Sequence, residues 1–309
     1  MRGSRITGTG GRLPDKVVTN SDLAAQIDTS DEWIRTRTGI EERRIGGTTT
    51  GLAAEAGRLA LERSGVDAAE LDLVILATTT PDRAVPASAP GVALELGATC
   101  GAFDINAACS GWVYGLVMAN SLIASGMGKI LVAGAETLSR ITDWDDRTTA
   151  ILFADGGGAA VVEAIDGPGD LLGWDLAADG TTEKHLFAET GGYLEMNGKE
   201  VFRHAVALMA DSSERALARA GLTADDVDVV IPHQANVRII EACCKRLGVD
   251  PDKAVLTLPF MGNTSAATVP FTLDHALTNG RVAPGDTVLF SGFGAGMTAA
   301  SAVMRWHVD

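Results

Sequence analysis

Cysteine is scarce in this chain of 309 residues, and its four cysteines, Cys100, Cys109, Cys243 and Cys244, show no CxxC spacing. Adjacent cysteines rarely bridge, so reduced thiols in a cytoplasmic protein are the expectation. Positive charge is short as well. Twenty-five Lys and Arg stand against 40 Asp and Glu, a formal net charge of −15 with a pI near 4.7. That balance has no general attraction for phosphate and argues against nucleic-acid binding. Long apolar runs are missing too. The longest apolar stretch, 111–135, is broken by Asn120, Ser121, Ser125, Gly126, Gly128 and Lys129, a helix, a turn and a strand, so no membrane span is expected. The opening MRGSRITGTGG reads as a polar start and a strand, without the apolar region of a signal peptide. The glycine-rich stretches GTGGRLP, GFGAG and DGGGAA lack the full GxGxxG context, so neither a nucleotide redox cofactor nor a metal site is indicated.

What is present is an ordinary globular composition, 46% hydrophobic and 21% charged, long enough for two domains or one large fused unit. It also contains a repeat. GVDAAELDLVILATTTP begins at Gly65 and GLTADDVDVVIPHQAN at Gly221, about half a chain later. GKILVAGAE from Gly128 is echoed by GDTVLFSGFG from Gly285. Each copy reads as a helix end, a capped turn and a buried strand. The chain therefore divides into similar halves, 1–168 and 169–309, at the DGPGD turn. Val-, Ile- and Leu-rich strands without alternation predict sheets covered on both faces, with ligands at the carboxyl ends of the strands.

Three polar residues follow apolar strands or open helices: Cys109 in NAACSGW, His233 in IPHQANVRII and Asn263 in MGNTSAATVP. A helix N-terminus would lower the pKa of Cys109, yet cysteine is also a common core residue, and that stretch alone favours the core. His233 could be a satisfied core histidine, and Asn263 a helix cap. Together, at strand ends of a duplicated fold, a thiol, an imidazole and an amide point to acyl-transfer chemistry.

Several motifs in order carry a resemblance: TSDEWIRTRTGI at 29–40, NAACSG at 106–111, DWDDRTTAILFADGGGAAVV at 143–162, MNGKEVF at 196–202, HQANVRII at 233–240, GNTSAAT at 262–268 and GFGAGMTAASAVMRW at 292–306. The chain resembles β-ketoacyl-acyl-carrier-protein synthase III, the initiating condensing enzymes of type II fatty acid synthesis in the thiolase-like superfamily. The resemblance implies a five-layer αβαβα fold built from two duplicated halves, a homodimer, and acyl-CoA and malonyl-acyl carrier protein as substrates, with no cofactor. It implies that Cys109 takes an acyl group from acyl-CoA. Malonyl carrier protein then loses CO2, and its carbanion attacks the acyl-cysteine. His233, through a ring N–H, and Asn263 would stabilise the enolate. The backbone N–H groups of Cys109 and Ala295 would form the acyl oxyanion hole.

By the same resemblance Trp33 and Arg147 would sandwich the CoA adenine and Arg37 would meet its phosphates. Asn236 and Arg238 would flank the pantetheine arm. Val85, in TPDRAVPAS, would belong to a loop that closes the partner's acyl pocket. Arg203, Arg238, Lys245 and Arg246 form a basic cluster in an acidic chain, expected to dock an acidic carrier protein. Met297-Thr298-Ala299-Ala300 stands where some relatives have Phe-Thr-Trp-Gly, which alters the pocket wall. The alternatives are a condensing or acyltransferring relative in secondary metabolism, a Cys-His-Asn hydrolase, a degradative thiolase and a CoA-binding scaffold. The half-chain duplication argues against the hydrolase, the absence of a second catalytic cysteine in GFGAG against the thiolase, and the intact trio against the scaffold.

Overall fold

The computed structural model describes residues 2–308. The sequence repeat becomes a repeated turn. Helix Thr49–Ser64 ends at Gly65 with φ 71°, and helix Gly198–Ala220 ends at Gly221 with φ 69°. This left-handed cap costs glycine least. Each cap leads into a short 3₁₀ turn closed by a capping box, Asp67 with Glu70 and Thr223 with Asp226. A wholly buried strand follows, Leu73–Ala77 in one half and Val229–Pro232 in the other.

The two large sheets repeat one strand order. In the first, the sequence across the sheet is Arg2–Arg12, Asp155–Asp166, Lys129–Thr137, Leu73–Ala77 and Gly101–Ile105. In the second it is Leu171–Ala178, Thr298–Arg305, Thr287–Gly294 and Val229–Pro232. Parallel and antiparallel pairings correspond one to one. The fifth strand survives in the second sheet only as a single parallel bridge between Val230 and Ala254.

Helices Gly111–Ala124 and Thr268–Thr278 lie between the sheets. Trp112, Leu116, Val269 and Leu273 share one core with Ile75 and Val132 of the first sheet and Phe290 and Ala302 of the second. Trp112 packs 5.8 Å from Phe290, ring centre to ring centre, and its indole N–H donates to the Val132 carbonyl at 3.0 Å. Each large apolar side chain so buried contributes about 1.5–3 kcal/mol. Helices Thr49–Ser64 and Ala89–Leu96 cover the outer face of the first sheet. Helices Gly198–Ala220 and Val237–Leu247 cover that of the second. The result is five layers, αβαβα, as the repeat and the resemblance imply. Among the described residues no helix is long and apolar enough to cross a membrane.

Strand Gly101–Ile105 is an edge, paired only with Leu73–Ala77. Phe103 and Ile105 on it are half-buried, and nearby Val85 and Leu94 are 84% and 79% exposed.

Candidate active site

Cys109 lies in a 3₁₀ turn, Ala108–Ser110, that links the edge strand to the central helix Gly111–Ala124. The second half builds the same device: turn Ser265–Ala267 precedes central helix Thr268–Thr278. Ala108 and Ser265 hold left-handed backbones at φ 47° and 48°, strained for residues with a Cβ. In both turns an asparagine two residues earlier accepts the strained residue's N–H. Asn106 Oδ1 takes that of Ala108 at 3.1 Å, and Asn263 Oδ1 that of Ser265 at 2.9 Å. Asn263 is thus the counterpart of Asn106, and Cys109 that of Ala266. Gly294 permits the two halves to meet here, since a Cβ on it would fall 2.5 Å from the Cys109 nitrogen.

Two cavities meet at Cys109. One, of about 360 Å³, is lined by Leu138, Ile141, Phe153, Leu186, Phe187, Leu194 and Ala295, with Thr79 and Ser265. The other, of about 120 Å³, brings Cys109 together with His233, Asn263, Phe293, Asn236 and Ile239. The trio read from the sequence therefore shares one wall.

Backbone contacts fix the orientation of Asn263. Because its oxygen accepts from Ser265, its NH2 is the group available to a ligand. His233 is fixed differently. Its backbone N–H donates to the Ser291 carbonyl at 2.8 Å, its ring packs edge-on to Phe293, and Nδ1 lies 2.7 Å from the Thr268 hydroxyl. That hydroxyl donates to the Ser265 carbonyl at 2.8 Å. With a single hydroxyl hydrogen, Thr268 satisfies both neighbours when it accepts from Nδ1–H, an assignment that leaves Nε2 bare. The sequence reading had His233 donating a ring N–H; the resting arrangement makes Nε2 an acceptor. Burial holds the ring neutral, its pKa lowered to about 3.

The thiol also departs from expectation. Burial pushes Cys109 up to about 12, Glu136 adds to the rise, and Ser265 opposes it. The lowering expected from a helix N-terminus does not offset the partial desolvation of the thiol and the carboxylate beside it. Glu136, missed in the sequence, lies fully buried one residue before the end of strand Lys129–Thr137. It accepts the N–H groups of Thr79 and Thr80 at 3.1 Å each and the hydroxyls of Thr78, Thr79 and Thr80. Burial raises its pKa against those donors. Ser265 faces both Glu136 and Cys109, although its Oγ makes no hydrogen bond of ordinary geometry. The hint in the sequence was a carboxylate near the end of the apolar run ILVAGA.

The Arg147 guanidinium already sits 4.7 Å from the Trp33 ring centre and Arg37 4.6 Å from it. Arg147 also donates to the Asp28 carbonyl at 2.9 Å. The face of Trp33 is thus already covered by Arg147. Asn236 caps helix Val237–Leu247 through Arg238 N–H and donates to the Arg37 carbonyl, so it is structural while lining the smaller cavity. In the basic cluster, Arg203 pairs with Glu200 and Arg246 with Asp211. Arg238 lies 5.8 Å from the Phe202 ring centre. Among the described residues Arg238 and Lys245 have no carboxylate partner. Val85 does not line the cavities at Cys109 of its own chain.

Comparison with known proteins gives consistent results. A family model described as 3-oxoacyl-[acyl-carrier-protein (ACP)] synthase III matches residues 103–180, and its C-terminal counterpart matches 217–306. A β-ketoacyl-[acyl-carrier-protein] synthase III of Erythrobacter litoralis is 49% identical, covering 97% of this chain and 98% of its own. The crystal structure of 3-oxoacyl-[acyl-carrier-protein] synthase III from Aquifex aeolicus superposes with a TM-score of 0.96 at 44% identity, over 98% of this chain and 100% of the other. The priming β-ketosynthase of the R1128 polyketide pathway superposes at 0.94 with 38% identity, covering 99% of this chain and 97% of its own.

Proposed function

The chain belongs to the β-ketoacyl-[acyl-carrier-protein] synthase III family, and from that premise we propose how its own residues divide the reaction. The reaction is that of an acyltransferase: an acyl-CoA primer condenses with malonyl carrier protein, CO2 is lost, and fatty acid synthesis begins. The meeting of two cavities at Cys109, the smaller of which brings His233 and Asn263 to the thiol, carries the assignment.

Cys109 is the nucleophile. A thiol held near 12 needs a base at the moment of attack, and the bare Nε2 of His233 supplies it. Sulfur adds to the acyl-CoA carbonyl as its proton passes to Nε2. The oxyanion rests on the N–H groups of Cys109 and Ala295, the bond to the CoA sulfur breaks, and that sulfur takes the proton from Nε2. The acyl chain lies in the larger cavity, among Leu138, Ile141, Phe153 and Leu194.

Malonyl carrier protein then brings its thioester along the smaller cavity. Cleavage of the bond to CO2 leaves an electron pair that becomes an enolate, with charge on the thioester oxygen. The NH2 of Asn263 donates to that oxygen. His233 joins it as the Nε2–H tautomer, reached by taking a proton from solvent at Nε2 and releasing the Nδ1 proton to solvent, with the Thr268 hydroxyl turned to donate to Nδ1. The enolate carbon attacks the acyl-cysteine carbonyl, the bond to Cys109 sulfur breaks, and the thiolate is reprotonated from solvent.

Trp33, Arg37 and Arg147 receive the CoA nucleotide, Asn236 and Arg238 flank the arm, and Arg203, Arg238, Lys245 and Arg246 face the carrier. A homodimer is supported by the exposed edge strand beside Val85 and Leu94, which a second copy would cover. Val85 then acts in the partner's acyl cavity. Residues 1–168 and 169–309 are the two halves, and no protein-bound cofactor enters the reaction. Intact-protein mass spectrometry after incubation with acetyl-, branched- and long-chain acyl-CoA tests the reading. One acyl group on the Cys109 peptide is expected, and acylation elsewhere or none would contradict it.

A further inference from the structure

Outside the Cys109 cavities, His185, Glu200 and His204 bring one ligand atom each to within 4.8 Å of one another. Glu200 and His204 stand one turn apart on helix Gly198–Ala220, a spacing that puts two donors on one face. His185 approaches from the opposite side, at the end of the turn Gly180–His185 that enters the hairpin strand Leu186–Ala188. The imidazoles lie 5.7 Å apart and 18° from parallel, and Glu200 Oε2 is 3.8 Å from His204 Nε2. All three residues are half-buried, and none lines either cavity at Cys109. The condensation leaves them without a task.

We propose that His185, Glu200 and His204 form a binding site for a divalent transition metal, zinc by preference, which pins the hairpin to the helix. Two imidazoles and one carboxylate are the donor set of a three-ligand zinc site with one open position, whereas magnesium and calcium favour all-oxygen shells. Zinc bonds of about 2.0–2.2 Å place tetrahedral ligand atoms roughly 3.3–3.6 Å apart, so the half-exposed side chains close on the ion with small rotations. The competitor is Arg203, which bonds Glu200 and lies 3.2 Å from His204 Nε2. Arg203 is exposed, and a bound dication repels it into solvent. The site is not legible in the sequence because the hairpin separates His185 from the other two ligands.

Metal here would reach the substrate passage through its neighbours in the chain. Leu186, next to His185, lines both cavities, and Val201, next to Glu200, lines the smaller one. Zinc that ties these walls together slows entry of acyl-CoA. This gating rests on the function proposed above; metal binding does not.

Cobalt(II) titration of the chelator-treated full chain tests the binding. Its visible absorption reports nitrogen and oxygen ligands, and coordination by a cysteine would add a thiolate charge-transfer band in the near ultraviolet. One equivalent is expected, without the thiolate band and displaced by zinc. His185→Asn and His204→Asn should each weaken it at least tenfold, with circular dichroism and the metal-free condensation rate unchanged. No stoichiometric binding, a thiolate band, or unaltered affinity in both variants would overturn the site. One equivalent of zinc should slow acylation of Cys109 several-fold in the wild type and not in His204→Asn. Equal rates with and without zinc, or equal slowing in both proteins, would overturn the gating. Absence of acylation in the metal-free wild type would count instead against the proposed function.

Discussion

The side-chain oxygen of Asn263 accepts the backbone N–H of Ser265 at 2.9 Å, and that bond decides what the amide can offer a substrate. Its oxygen is engaged by the turn, so the NH2 is the group left to donate to a ligand. Asn263→Asp keeps the acceptor and the turn but replaces the donor with an anion. Loss of one such donor typically costs 100- to 1,000-fold in rate. CO2 release from malonyl carrier protein should fall at least 100-fold, while acylation of Cys109 by acyl-CoA stays within several-fold of wild type. Equal loss in both half-reactions would show that the residue supports the turn and not the enolate.

The Cys109 thiol should behave as a protonated group at rest. With its pKa pushed up to about 12, the thiolate fraction grows about tenfold per pH unit at every pH well below that value. Alkylation by iodoacetamide, followed at the Cys109 peptide without substrate, should therefore rise tenfold per unit from pH 7 to 9 without levelling. A plateau below pH 8 would reveal a resting thiolate–imidazolium pair and remove the need for His233 as base.

Carrier docking should depend on the unpaired cations. Arg246 and Arg203 are held by Asp211 and Glu200, so Lys245 and Arg238 are left to meet an acidic partner. Lys245→Glu should raise the KM for malonyl carrier protein several-fold at low salt, an effect that shrinks as ionic strength rises. Self-acylation by acyl-CoA should not change. A salt-independent effect would place Lys245 outside the docking surface.

The duplication was legible because its signals are local. Gly65 and Gly221 end helices with left-handed caps, capping boxes follow, and the next strands are wholly apolar. The kinship of the two central turns was not legible, since NAACSG and NTSAAT share only their asparagine. It is backbone geometry at Ala108 and Ser265 that relates them. The thiol was misjudged because a helix end can be read from sequence and burial beside Glu136 cannot. His233 could be chosen from its place after a strand, but the bare nitrogen depends on Thr268, 35 residues away. Trp33 and Arg147 lie in separate motifs, and only the structure has them touching, with the slot between them closed.

In the proposed function Cys109 holds the acyl group while His233 and Asn263 drive decarboxylation. His233→Ala removes both the base and one enolate donor, whereas Cys109→Ala removes only the covalent anchor. The most direct measurement is release of labelled CO2 from malonyl carrier protein by these two variants, side by side and without acyl-CoA. Cys109→Ala should still release CO2 at a measurable rate, and His233→Ala should fall about 100-fold or more below it. Silence from Cys109→Ala, or CO2 release by His233→Ala at the Cys109→Ala rate, would contradict the account.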